Sequence, residues 1–333
     1  MEPVTHALAS LALARSGFQE KTRLATPMLL ASGVAADLDL LSGIGGADFY
    51  LRLHRTLLHS LLGSMGLAAA IAAAFVSLAR KDPKNPLPFR LAFTICLAGA
   101  GAHLLLDLCT TTGEQLLWPF HAKWFALDWV AWLDPWILFF LLAGLLLPSL
   151  LHMISEEIGA RRKRGPNRGA IAALALVALF VGARAMMHSK AVDMLFSREY
   201  HGAVPESAAA FATAASPLIW RGVVNSTFRI ESLEVSLVPG SYFDPERTDT
   251  HFKPEASPVL DATERTGIAE RFLRYARFPI AAIEKREYGY HVVLRDLRFP
   301  PGSGGWDNLI AVIDMDSEMH VQVAEMQFES QGN

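Results

Sequence analysis

The pentapeptide HLLLD places His103 and Asp107 four residues apart within the apolar run 91–111. This spacing puts both side chains on one face of a helix, from which they could bind one metal ion together. An ionisable residue at membrane depth costs about 3 kcal/mol, so such a pair indicates a functional site by default. The alternative is that His103 is a buried polar group whose hydrogen bonds are satisfied by a neighbouring helix.

Other residues of metal-ligand type fall near the ends of neighbouring apolar segments: His6, Asp37, Asp39, His54 and His59. Imidazole and carboxylate ligands together suit Zn, Mn or Fe, and Zn is the favoured ion. With the HLLLD pair the candidates exceed the four ligands of a closed structural zinc site. The surplus favours two ions, a bridging carboxylate such as Asp37 or Asp39, and an open position for water, whose pKa a metal lowers toward about 7.

Several polar residues in these segments, Arg55 included, require interpretation. His54 and His59 are five residues apart, which is poor spacing for one helix face, so His54 is predicted to lie in the loop before the helix. Asp37 and Asp39 could be no more than parts of a loop at a helix C-terminus. Arg55 either anchors the chain at the membrane interface or binds an anionic group of a substrate.

The elements that must position these residues are membrane helices. Long apolar runs are concentrated in the first 190 residues, and about 20 apolar residues cross a bilayer. Four runs are long enough: 57–79, 91–111, 133–151 and 169–187. Two shorter runs precede them: 4–14 and 24–36. We therefore predict an all-α polytopic membrane domain over 1–190, with four spans after a short N-terminal helical hairpin that inserts partway.

Basic residues give the orientation of these spans. They concentrate in the segments 15–23, 80–90 and 156–168, which face the cytoplasm by the positive-inside rule. All the candidate ligands then gather at the outer face, and everything after about residue 188 also lies outside the cytoplasm. The bilayer is therefore an expected partner. The net charge of −3 argues against a nucleic-acid partner.

Residues 191–333 are predicted to form a small α+β domain outside the membrane. The segment 197–215 has a mixed pattern that we interpret as helical, and 256–278 has apolar residues at helical spacing. Strand-like runs of β-branched and aromatic residues occur in 218–240 and 280–328. The sequence of this domain contains no catalytic set, so it either forms a scaffold over the outer face or binds part of a substrate or a partner.

Four motifs occur in order along the first 150 residues: PVTHALASLALA, GVAADLDLL, HRTLLHSLLG and GAHLLLDLCTTTGEQLLWPF. Together they resemble the bacterial membrane-bound metal-dependent hydrolase family, the YdjM-like inner-membrane proteins. The resemblance implies a multi-pass protein of the bacterial inner membrane with a divalent-metal hydrolase site. The order of ligand types is also similar to that of zinc-dependent phospholipase C and the P1-type nucleases, which are phosphoesterases. Carried over residue by residue, that similarity implies the following metal ligands: His6, Asp37, His59, His103 and Asp107.

The sequence thus predicts a membrane-embedded metal-dependent hydrolase with one or two divalent ions at the outer face. Asp39 and His54 are predicted to be further ligands or the general base of catalysis. The expected substrate is an ester, with a phosphoester of a lipid or of a lipid-linked envelope molecule favoured. The alternative is a non-catalytic membrane protein whose divalent metal is structural or transported. Transport would favour polar residues spread through several spans to both faces of the membrane, whereas the candidate ligands cluster at the outer face.

Overall fold

A computed structural model shows the fold and describes residues 1–81, 86–157, 166–241, 244–300 and 306–329. Two of the basic segments used to predict the orientation, 80–90 and 156–168, lie partly outside the described residues. The chain divides into two compact units: Met1–Asp39 with His54–Met186, and Leu40–Leu53 with Met187–Asn333. The predicted domain boundary at residue 190 stays a prediction.

The first part of the chain is helical. Its described elements are α1 (Pro3–Arg15), a 3-10 turn (Phe18–Glu20), α2 (Ala25–Val34), a 3-10 segment (Ala35–Gly45), α3 (Ala47–Leu53), α4 (Leu61–Ala79), α5 (Phe89–Leu108), α6 (Pro135–Glu157) and α7 (Arg168–Phe196). By length and composition, four stretches among the described residues could cross a membrane: Ala25–Gly45, Leu61–Ala79, Phe89–Leu108 and Arg168–Phe196. A helical N-terminal region with four candidate membrane spans is therefore confirmed.

One candidate span differs from the prediction. The run 24–36 was expected to be too short to cross, but the chain continues from α2 as 3-10 helix, and the whole stretch Ala25–Gly45 has 21 residues. Asp37 and Asp39 interrupt the apolar pattern, so the pattern places the end of this helical stretch at residue 36, too early in the chain. The predicted span 133–151 lies in α6, whose apolar stretch in the described residues is the shorter Pro135–Pro148.

Small residues allow α1, α2 and α5 to pack closely. A Cβ atom added at Gly33 would lie 1.9 Å from the Oγ of Ser10. One added at Gly99 would lie 2.3 Å from the Oγ of Ser32 and 2.9 Å from the carbonyl oxygen of Leu29. Such close backbone approach is typical of membrane helices, which associate through packing and interhelical hydrogen bonds. It brings together the three helices that carry or adjoin most of the predicted ligands.

The second unit contains two antiparallel sheets of four strands. The first sheet has the order β1 (Ser207–Ala212), β2 (Ile219–Asn225), β3 (Arg229–Ser236), β4 (Asp249–Phe252), and the second has the order β5 (Pro279–Arg286), β6 (Gly289–Asp296), β7 (Leu309–Asp316), β8 (Val321–Phe328). Two short helices lie between the sheets in sequence: α8 (Pro258–Glu264) and α9 (Gly267–Tyr275). This composition agrees with the predicted small α+β domain.

The interpretation of segment 197–215 as helical is wrong, because this segment contains strand β1. Its sequence SAAAFA is rich in alanine, which favours helices in isolation. Here Ala209 and Phe211 are buried, and Ala209 pairs with Val223 of β2. Tertiary pairing therefore outweighs the local helix propensity.

Candidate metal centre

Asp107 lies at the centre of a buried cluster of imidazole groups. Its side-chain Oδ1 is 3.3 Å from the Nε2 of His6. Its Oδ2 is 3.2 Å from the Nε2 atoms of both His59 and His103. The N-terminal amine of Met1 also contacts Oδ1. One carboxylate thus meets imidazoles from α1, from α5 and from the loop just before α4.

Local structure orients the two imidazoles that face Asp107 Oδ2. The Nδ1 of His103 lies 2.9 Å from the carbonyl oxygen of Gly33, which can only accept a hydrogen bond. The Nδ1 of His59 lies 3.0 Å from Oδ2 of Asp39. His59 itself is fixed because Ser60, the next residue, is the N-cap of α4 and accepts a hydrogen bond from the backbone N–H of Gly63. Both rings therefore present Nε2 to the cluster.

This arrangement brings two imidazole nitrogens and a carboxylate oxygen together. The Nε2 atoms of His59 and His103 lie 3.0 Å apart, within hydrogen-bond distance of each other. Asp107 Oδ2, next to both, makes no hydrogen bond within the described part of the chain. A buried carboxylate oxygen without a hydrogen bond is unfavourable unless a cation compensates the loss of water.

Two further residues complete the cluster. The ring of His6 stacks on that of His103 with centroids 3.9 Å apart, and neither ring nitrogen of His6 makes a hydrogen bond to the described residues. Asp37 has one oxygen 3.8 Å from Nε2 of His103 and a second, buried oxygen with no such partner in the same residues. Hereafter the Asp107 cluster means these residues: His6, Asp37, His59, His103 and Asp107.

The Asp107 cluster could bind a metal ion. Four of its members each offer one ligand atom, and all these atoms lie within 4.8 Å of one another: His6, Asp37, His103 and Asp107. All four are buried, with between 0% and 8% of each residue exposed. His59 stands beside this group of four, with its Nε2 3.0 Å from that of His103. The identities of the individual ligands stay predictions.

Asp39 and His54 lie behind the atoms that converge on Asp107: Asp39 contacts His59, and His54 contacts Asp39. The Nδ1 of His54 is 2.7 Å from Oδ1 of Asp39, while Oδ2 accepts a hydrogen bond from the backbone N–H of Arg55 at 3.0 Å. A carboxylate that orients an imidazole in this way is common behind metal ligands. As predicted, His54 lies in the loop before α4, since α3 ends at Leu53.

Arg55 is buried beside the cluster, with 2% of the residue exposed. Its Nη2 is 3.3 Å from Oδ1 of Asp107, and its Nε donates to Nε2 of His54 at 3.3 Å. The φ angle of Arg55 is 55°, a left-handed conformation that is uncommon for a residue other than glycine and that often marks functional sites. Its burial argues against the alternative of an anchor at the membrane interface.

Glu114 is a nearby acidic residue that the sequence reasoning missed. Its carboxylate is fully buried, and neither oxygen makes a hydrogen bond to the residues that the structure describes. Burial raises the pKa of Glu114 to about 8, although the guanidinium of Arg55 and the amine of Met1 lower it somewhat. Its backbone is paired with that of Phe125 through two hydrogen bonds of 2.9 Å. The acid in TTGEQ so soon after HLLLD was the available signal, but burial was not visible in the sequence.

These features define a helical membrane protein with a buried cluster of histidine and aspartate. A family model described as YdjM inner membrane protein matches residues 1–191, more than half of the chain, and the match contains every residue of the Asp107 cluster. The chain belongs to the YdjM inner membrane protein family. The comparison with curated proteins found no match, and the comparison with solved structures found none either. The predicted resemblance to this family is confirmed, while hydrolase activity and the likeness to phospholipase C stay predictions.

Proposed function

We propose that the protein is a membrane-embedded, metal-dependent hydrolase that acts on an ester. A phosphoester of a lipid, or of a lipid-linked envelope molecule, is the favoured substrate. The observation that carries the proposal is the convergence of three buried atoms of metal-ligand type within 3.2 Å of one another: Nε2 of His59, Nε2 of His103 and Oδ2 of Asp107. We further propose that the site faces the outside of the cytoplasmic membrane, as the distribution of basic residues predicts.

The residues present fit a divalent ion. Imidazole nitrogens and carboxylate oxygens are the donors that Zn²⁺, Mn²⁺ and Fe²⁺ accept, and the Asp107 cluster would hold one or two such ions. When bound, the ion would polarise the ester oxygen and make a water molecule more acidic. The chain itself orients the ligands: Gly33 fixes the tautomer of His103, and Asp39 directs His59.

His54 and Asp39 have the geometry of a general base and its orienting carboxylate. The Nδ1 of His54 donates to Asp39 across 2.7 Å, which leaves Nε2 as the basic nitrogen. That Nε2 already accepts a hydrogen bond from Arg55, so it lies on the side of the imidazole that faces the other charged groups. We propose that His54 accepts a proton from the attacking water at Nε2 when its hydrogen bond with Arg55 opens, while Asp39 stabilises the resulting imidazolium.

Apolar side chains beside the site suit a substrate with an acyl or prenyl chain. Leu38 stands between the two aspartates in sequence and is 63% exposed. Leu57, Leu61 and Leu62 flank His59 and are 44%, 50% and 52% exposed. Exposed apolar side chains next to buried polar groups are characteristic of sites for amphipathic ligands and of surfaces that contact lipid.

A structural metal is the second candidate function, and one observation favours it. His59 and Asp107 are both completely buried, as expected of a closed structural site. The two functions predict different results for a substitution of similar size at Asp107, such as Asp107→Asn. Loss of a catalytic ion abolishes turnover in a folded protein, whereas loss of a structural ion removes the folded protein itself.

The test compares Asp107→Asn with Asp134→Asn in detergent-solubilised full-length protein. Asp134 is a matched control, because it is also buried and accepts hydrogen bonds from the backbone N–H groups of Trp136 and Ile137 at the start of α6. We expect wild type and the control to hydrolyse bis(p-nitrophenyl) phosphate with added Zn²⁺, and Asp107→Asn to be folded and inactive. A wild type that binds Zn²⁺ but hydrolyses no ester, with an Asp107→Asn variant that fails to fold, would establish the structural role instead.

A further inference from the structure

The guanidinium of Arg55 is held in place from several sides. Its Nη1 donates to Oγ1 of Thr110 at 3.2 Å and to the carbonyl oxygen of Gly113 at 3.4 Å. The backbone is fixed as well, because Arg55 N–H donates to Asp39 and the Arg55 carbonyl accepts from the N–H of Gln115 at 2.9 Å. A left-handed φ persists in a bulky residue only where its surroundings enforce it. The fold therefore holds this cation rigidly at the edge of the Asp107 cluster.

The need to neutralise the charge of Asp107 does not explain why the guanidinium of Arg55 is buried here. The pair makes one contact of 3.3 Å rather than the two short parallel hydrogen bonds of a strong arginine–carboxylate pair. Asp107 Oδ1 also meets His6 and the amine of Met1. A divalent ion on Asp107 would compete for the same carboxylate charge and leave the buried guanidinium in need of another anion.

The other groups around Arg55 do not supply that anion. Asp39 accepts from the backbone of Arg55 and is engaged by His54 and His59. Asp37 and Glu114 are the other acids that interact electrostatically with Arg55. Asp37 belongs to the Asp107 cluster, where a bound ion would share its charge, and burial raises the pKa of Glu114 to about 8, so Glu114 is largely protonated at neutral pH. The side chain of His54 presents a nitrogen to Arg55 and carries no negative charge. A metal-loaded site thus retains a positive charge on Arg55.

We propose that Arg55 binds the anionic oxygen atoms of the substrate, so that the site selects phosphoesters over neutral carboxylic esters. This inference rests on the proposed hydrolase function and assigns the residue that selects its substrate class. Because Nε and Nη1 already donate to His54, Thr110 and Gly113, the donor left for an anion is Nη2, which a metal ion on Asp107 would release. Burial strengthens such a contact, because water competes with it less.

Binding of inorganic phosphate tests the proposal without relying on turnover. Titration calorimetry on Zn²⁺-loaded, detergent-solubilised protein compares wild type with Arg55→Gln and Arg55→Lys. Arg184→Lys is the matched control, because Arg184 is also buried, with its Nε donating to the carbonyl oxygen of Trp129 at 2.9 Å. We expect phosphate affinity to fall about 10-fold or more in Arg55→Gln, less in Arg55→Lys and not in the control, with bound Zn²⁺ unchanged. Equal phosphate affinity in wild type and Arg55→Gln, at equal metal content, overturns the proposal.

Further measurements separate this proposal from the hydrolase function. If wild type holds no metal, the hydrolase proposal fails, and the same phosphate titration on metal-free protein still decides whether Arg55 forms an anion site. If Arg55→Gln does not fold, Arg55→Lys provides the comparison, with thermal unfolding as the check of folding.

Substrate selectivity gives a second readout. The ratio of the rate of bis(p-nitrophenyl) phosphate hydrolysis to that of p-nitrophenyl acetate hydrolysis should fall in the Arg55 variants, and an unchanged ratio contradicts the assigned selectivity. Tighter binding of phosphatidic acid in mixed micelles than of inorganic phosphate would assign the anion to a lipid headgroup, and equal binding would assign it to a soluble phosphoester.

Discussion

Each of the two units buries an aspartate, and the two aspartates differ in how their carboxylate oxygens are satisfied. In the second unit, Asp296 accepts hydrogen bonds from the backbone N–H groups of Arg277, Phe278 and Arg298, and from the guanidinium Nε of Arg298 at 2.6 Å. In the first unit, Oδ1 of Asp107 contacts the amine of Met1 and the guanidinium of Arg55, whereas Oδ2 faces two imidazole nitrogens and makes no hydrogen bond to the described residues. A buried carboxylate whose oxygens all accept hydrogen bonds stabilises a fold, whereas one with an unsatisfied oxygen beside imidazoles is suited to bind a cation.

The largest expected difference between the two aspartates concerns stabilisation by metal. Zn²⁺ at about 1,000 times its dissociation constant should stabilise wild type by about 4 kcal/mol. Asp107→Asn should lose this stabilisation, because the carboxylate shared by three imidazoles is gone. Asp296→Asn should keep it. Thermal unfolding with and without Zn²⁺ measures both responses, and a Zn²⁺ response that survives in Asp107→Asn would contradict the comparison.

Asp296→Asn should instead weaken the fold of the second unit. The change leaves the guanidinium of Arg298 buried without its carboxylate partner, which costs about 3 kcal/mol or more. Limited proteolysis and thermal unfolding would report the loss, and the metal content of the surviving folded protein should equal that of wild type. A variant as stable as wild type would show that the hydrogen bonds to Asp296 do not make it a structural residue.

Close packing of α5 against α2 provides the next test. Gly99→Ala places a Cβ 2.9 Å from the backbone oxygen of Leu29, so the helices must shift, at a cost of about 1–3 kcal/mol and with weaker metal binding. Gly101→Ala is the control, since nothing lies within 4 Å of an added Cβ there. Thermal unfolding and Zn²⁺ titration compare the two variants. Equal behaviour would mean that this helix contact does not position His103.

The smallest predicted effect, counted per pH unit, is a pH dependence caused by Glu114. Its pKa is about 8 in the folded protein, against an ordinary value of 4.5. The neutral carboxyl is therefore compatible with the fold below about pH 4.5, and stability is lost as pH rises toward 8, by at most about 1.4 kcal/mol per pH unit. Metal-free Glu114→Gln should lack this part of the pH dependence. Denaturant unfolding between pH 5 and 8 measures it, and parallel curves for wild type and variant would contradict the assignment.

Local periodicity explains what the sequence could predict of the site. The pairing of His103 with Asp107 follows from one turn of helix, and the loop position of His54 follows from a spacing that no helix face accommodates. The contact of His103 with Gly33, the burial of Glu114 and the orienting contacts of Asp39 depend on packing between segments far apart in sequence, which periodicity does not report. The same limit explains strand β1, where pairing with β2 overrides an alanine-rich run.

The most direct test of the account is the metal content of the purified full-length protein after reconstitution with Zn²⁺, Mn²⁺ or Fe²⁺. It is measured for wild type, His103→Ala and the exposed-histidine control His121→Ala, with thermal unfolding recorded on the same samples. We predict at least one equivalent of metal in wild type and in the control, and its loss from a folded His103→Ala variant. A wild type that stays metal-free would contradict the account and make the HLLLD residues a buried polar pair between helices.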